Sequence, residues 1–88
     1  MTVYTIHEDI HGFLGIAATP KAAIAYLIHN EWIHDIYDEE IQRFIPIEQK
    51  FGSNWKDILL NMSIDEFNNY FVDTFRIEEE PIIIKEHY

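Results

Sequence analysis

The sequence predicts an α+β fold: a small antiparallel sheet, built from an N-terminal hairpin and a C-terminal strand, with three or four helices packed on one face. Three observations predict it. Two short runs rich in β-branched and aromatic residues near the N-terminus flank a five-residue loop containing glycine. Two strong helix starts follow, Thr19-Pro20 and Ser63-Ile64-Asp65-Glu66. An isoleucine-rich run comes after the last of them. At 88 residues the chain supplies one core and one domain, residues 1–88. With 48% apolar and 15% aromatic residues it is equipped to build that core, unlike a disordered acidic tail.

Each element has its own warrant. Val3 to His7 and Phe13 to Ala17 read as strands, and Glu8 to Gly12 as the hairpin loop. Thr19 is a preferred N-cap, and Pro20 fits the first helical position because the N–H it lacks has no intrahelical partner. Ala23, Ile24, Leu27 and Ile28 then make an apolar stripe, on a helix predicted to reach Glu31 or Trp32. Asp38 is placed to cap a short helix through Glu39, Glu40, Ile41 and Phe44, which Pro46 should end. A second short helix is expected from Ile47 to Lys50, with Gly52 as its stop. Ser53 would cap a third from Asn54 to Asn61, with Trp55, Ile58, Leu59 and Met62 on its apolar side.

Ser63 and Glu66 form a capping box, with Met62 and Phe67 placed for the accompanying staple. That helix should bury Ile64, Phe67, Phe71 and Phe75. Beyond the alternating Arg76-Ile77-Glu78, Ile82-Ile83-Ile84 reads as the C-terminal strand, with Pro81 at an edge or bulge.

Several chemistries are disfavoured at once. There is no cysteine, so disulfide scaffolds, cysteine zinc ribbons and thiol catalysis are out. Sixteen acids against six bases leave a net charge of −10, which argues against direct binding to nucleic acid or an anionic membrane. No apolar stretch approaches the ~20 residues of a membrane span, and no basic segment with an apolar run opens the chain, so a cytoplasmic location is expected. No nucleotide-binding glycine loop and no serine-nucleophile motif occurs.

His7-Glu8-Asp9-Ile10-His11 matches the H-E-x-x-H zinc-protease pattern, which needs both histidines on one helical face and the glutamate as base. Here it follows a β-branched run, Gly12 succeeds it directly, and Leu14 stands where a metzincin has glycine. A hairpin turn is the preferred reading, and neither catalytic residue, metal site nor cofactor is predicted. His29 and His34, five residues apart, share no helical face and read as solvated or capping histidines near a helix C-terminus.

The remaining signal is the acidic side chains. Glu31, Asp35, Asp38, Glu39 and Glu40 form one candidate contact cluster; Glu78, Glu79 and Glu80 form another. Trp32 or Tyr37 is the candidate aromatic anchor of the first, with core packing favoured for Trp32. Concentrated on one face, such charges imitate a nucleic-acid backbone and speed encounter with a basic partner; spread evenly, they only solvate the surface.

The small acidic chain, its hairpin before a Thr-Pro-capped helix, and the stretch Phe51-Gly52-Ser53-Asn54-Trp55 resemble small proteins of phages and mobile elements of Gram-positive bacteria. The resemblance is one of overall character across the whole chain. That class is similar in size and charge to anti-CRISPR and anti-restriction inhibitors. The resemblance implies a non-catalytic inhibitor that occupies the nucleic-acid-binding surface of a partner protein in a host cytoplasm. Two other functions are open: a structural or adaptor module, in which the doubly apolar Ile82-Ile83-Ile84 is either central in the sheet or pairs across a two-fold axis in a homodimer, and a small zinc-binding protein using the H-E-x-x-H match.

Overall fold

The computed structural model describes residues 1–82. Its elements run in the order β1 (Thr2–Glu8), β2 (Gly12–Ala17), α1 (Pro20–His29), β3 (Asp35–Asp38), β4 (Arg43–Pro46), α2 (Ile47–Phe51), α3 (Trp55–Leu60), α4 (Ile64–Tyr70) and β5 (Phe75–Pro81). The α+β class is as expected: β2, β1 and β5 form an antiparallel sheet in that order, with β1 central. The two-stranded sheet of β3 and β4 is an addition the sequence reading lacked.

The sheet's inner face is set by Ile6, which lies opposite Gly15 on β2 and Ile77 on β5. Ile6 and Ile77 are fully buried, together with Ala23, Ile24 and Leu27 of α1 and with Phe67 and Phe71 of the α4 region. A bulge shapes β2. Ile6 pairs Gly15 while the next residue, His7, pairs Phe13, so Leu14 is the extra residue. Because of it, Phe13 and Ile16 point to the same outer face, opposite His7 and Thr5.

The helix starts behave as their chemistry requires. The Thr19 hydroxyl accepts the Ala22 N–H at 3.0 Å. The Ser63 hydroxyl accepts from the Glu66 N–H at 3.1 Å, while the Glu66 carboxylate accepts from the Ser63 N–H, which completes the capping box.

Five expectations need correction. First, α1 stops at His29, short of Glu31: the Glu31 N–H bonds the Ile28 carbonyl and the Trp32 N–H that of Leu27, a Schellman ending with Glu31 at φ 57°.

Second, residues 35–46 form a hairpin and not an Asp38-capped helix. The Asp38 carboxylate does accept from the Glu40 and Ile41 N–H groups, but inside a turn, and the hairpin buries Ile36 against Ile45. Third, α3 begins one residue late, with Asn54 and not Ser53 at its N-cap, and Ile58 stays 38% exposed.

Fourth, Phe71 and Phe75 are buried as expected but not on the helix: α4 ends before Phe71, its C-cap, and the turn that follows, with Asp73 at φ 66°, leads into β5 at Phe75. Fifth, the last strand is Phe75–Pro81: Ile82 lies just past it, and Ile83 and Ile84 are outside the described residues. Pro81 ends an edge strand, where its missing N–H is tolerated.

Candidate functional site

The H-E-x-x-H residues are in a strand and a turn. Glu8 closes the hairpin: its carboxylate accepts from the N–H groups of Ile10 (3.1 Å) and His11 (2.8 Å) and pairs with the His11 ring. The Ile10 N–H above all, then the His11 ring and N–H, hold the Glu8 carboxyl below the usual glutamate range, against an opposing effect of burial. Its lone pairs serve the turn, so Glu8 is not poised as a base. His11 packs against the Trp32 ring in a T-shaped arrangement, with ring centroids 5.1 Å apart, and His7, on the sheet's outer face, does so against Phe13 at 5.9 Å. Trp32 packs partly against the core, as the sequence suggested.

Ten of the sixteen acids line three adjoining hollows around α4. Asp38, Glu39 and Glu40 border the first, of about 340 Å³, with Tyr37, Lys50 and Tyr70. Glu8, Asp9 and Asp73 border the second, of about 480 Å³, with Arg76. Asp65, Glu78, Glu79 and Glu80 border the third, of about 490 Å³. Val72 is shared by the first two hollows and Asn68 by the last two, so the series is continuous. Lys50 and Arg76 are the lysine and arginine residues lining it. Arg76 pairs with Glu78, which blunts one of the ten negative charges.

The predicted clusters are thus only partly joined. Asp38, Glu39, Glu40 and the Glu78–Glu80 run lie along this series. The pleat turns Glu79 toward the Phe75 and Ile77 side of β5, and Glu78 and Glu80 to the other. Glu31, at the end of α1, and Asp35, opening β3, line none of the three hollows. Tyr37, the candidate anchor, is 44% exposed and sits edge-on to Phe44, directly across the hairpin.

Asp65, in the first turn of α4, and Asp73, in the turn after it, are grouped with Glu66 as an acidic run in the sequence but were not among the candidate contacts, and Asn68, which positions the site, was not singled out. Asn68 donates to the Ile77 carbonyl and accepts from the Ile77 N–H, both at 2.9 Å, so it ties α4 along the outer edge of β5. One overlooked signal was legible: no Asp or Glu occurs from Ile10 to Asn30. That segment, which contains β2 and α1, carries a single charged side chain, Lys21, so all sixteen acids belong to the rest of the molecule.

Among the described residues, no helix is long and apolar enough to cross a membrane, and no group of three or more His, Asp or Glu is arranged to hold a metal ion. Compared with known proteins, the chain matches no family model, no curated protein sequence and no solved structure.

Proposed function

We propose that this protein is a non-catalytic binding protein whose acidic face, centred on α4, docks on a basic, nucleic-acid-binding surface of a partner and excludes the nucleic acid from it. The observation that carries this reading is the continuous run of ten carboxylates with, among the described residues, only two lysine or arginine side chains, Lys50 and Arg76, beside them. Clustered charge of one sign destabilises its own fold through repulsion, and what it returns is faster encounter with an opposite surface. Exposed aromatics at one end of the run, Tyr37 and Tyr70, supply the apolar anchors that charge alone lacks.

The test is affinity capture from the source cell at low ionic strength with elution by a salt step. A nucleic-acid-binding protein should be released by salt, and the captured complex should fail to bind nucleic acid. Recovery of no such protein, or of a partner that holds nucleic acid equally well in the complex, contradicts the proposal.

A further inference from the structure

The two edges of the three-stranded sheet are treated differently. The β5 edge is guarded: Asn68 takes up both polar groups of Ile77, Pro81 ends the strand, and Arg76 and three glutamates run along it. These are the devices by which edge strands are kept from pairing with other chains.

The β2 edge has almost none of them. Its sequence, Gly-Phe-Leu-Gly-Ile-Ala, contains no charge and no proline. Phe13 is 57% and Ile16 62% exposed, both on the outer face. Among the described residues, the one side-chain hydrogen bond to this strand is from the Tyr26 hydroxyl to the Leu14 carbonyl.

We propose that the β2 edge is a self-association surface, on which a second copy of this chain adds its own β2 in antiparallel register to make a continuous six-stranded sheet. Charge selects the occupant's position. Two chains of net charge −10 repel wherever their acids face each other, and β2 lies in the acid-free segment from Ile10 to Asn30. The strand is also self-complementary. A two-fold axis between Leu14 and Gly15 sets Phe13 opposite Ile16 of the second copy, and Ile16 opposite its Phe13. These are two aromatic–β-branched cross-strand pairs on one face, brought to that face by the bulge. The acidic hollows around α4 are built from other elements, apart from Gly12 at the start of β2, so the dimer would present two acidic faces.

Salt separates this contact from the proposed partner binding. Binding to a basic surface weakens as salt rises, whereas pairing of two like-charged chains through an uncharged edge strengthens. Sedimentation equilibrium of the full chain at about 0.1 M and about 1 M sodium chloride, where the screening length falls from roughly 10 Å to roughly 3 Å, reads it directly.

The expected result is a monomer–dimer equilibrium that tightens with salt and is weakened at least about tenfold by Ile16→Lys. The triple change of Glu78, Glu79 and Glu80 to Gln should leave the dimer intact. A wild-type chain that stays monomeric at high salt overturns the proposal whatever the variant does. So does an Ile16→Lys protein that dimerises as well as wild type, or growth beyond the dimer. None of these results bears on the captured partner, whose binding is read at low salt.

Discussion

Two glutamates are held by local backbone geometry, Glu31 just past the end of α1 and Glu8 in the β1–β2 turn. Glu31 occupies the left-handed region at φ 57° as the C′ residue of α1, where glycine is the usual choice. A side chain there costs about 1–2 kcal/mol, part of which glycine returns as extra chain entropy when unfolded. Glu31→Gly should therefore stabilise the fold by about 0.5–1 kcal/mol, visible as a melting temperature a few degrees higher. An unchanged or lower melting temperature would show that the Schellman ending is not formed.

Glu8 is the second. Its carboxyl is held below the ordinary glutamate range by the N–H groups it caps, so its contribution is present above the unfolded-chain value and lost as pH falls through the lowered one. In an NMR titration the Ile10 and His11 amide shifts should move with a midpoint below the ordinary glutamate value, and Glu8→Gln should abolish that step. A midpoint at or above the ordinary value contradicts the turn geometry.

At the scale of elements, legibility followed from how unambiguous each local signal was. The starts of α1 and α4 were readable because a Thr-Pro step and a capping box each satisfy specific orphan N–H groups. Residues 35–46 were not, because an aspartate accepting from the second and third N–H groups beyond it serves a helix start and a turn equally well. Only the tertiary burial of Ile36 and Ile45 decides between them. The last strand was misplaced because three consecutive glutamates have poor strand propensity. Position on an edge, with α4 alongside, is what makes them tolerable.

Asn68 is the residue holding that arrangement. Asn68→Ala leaves the N–H and C=O of Ile77 without their partner and should cost about 1–3 kcal/mol in a chemical melt. Hydrogen exchange at the Ile77 amide should accelerate more than at its neighbours on β1. A melt indistinguishable from wild type would remove α4 as the cover of the β5 edge.

For the whole molecule, the arithmetic of charge was plain in the sequence, and its distribution was half legible. The acid-free stretch from Ile10 to Asn30 already implied segregation. Which acids meet in space was not legible, since Glu8 and Asp9 join Asp73 and Arg76 only once β5 pairs with β1 and the Asp9 N–H bonds the Thr74 carbonyl. For the same reason Glu31 and Asp35, close in sequence to Asp38, fall outside the hollows.

The proposed steering of a basic partner by the acids around α4 is read in the association rate. The captured partner is mixed with wild type and with a variant in which Asp38 is changed to Asn and Glu39, Glu40, Glu78, Glu79 and Glu80 to Gln. The account predicts an on-rate at least about tenfold slower for the variant at low salt, and a shallower salt dependence, with the melting temperature level or raised because mutual repulsion is relieved. Equal on-rates with the same salt dependence would contradict it and leave the carboxylates as a solvated surface.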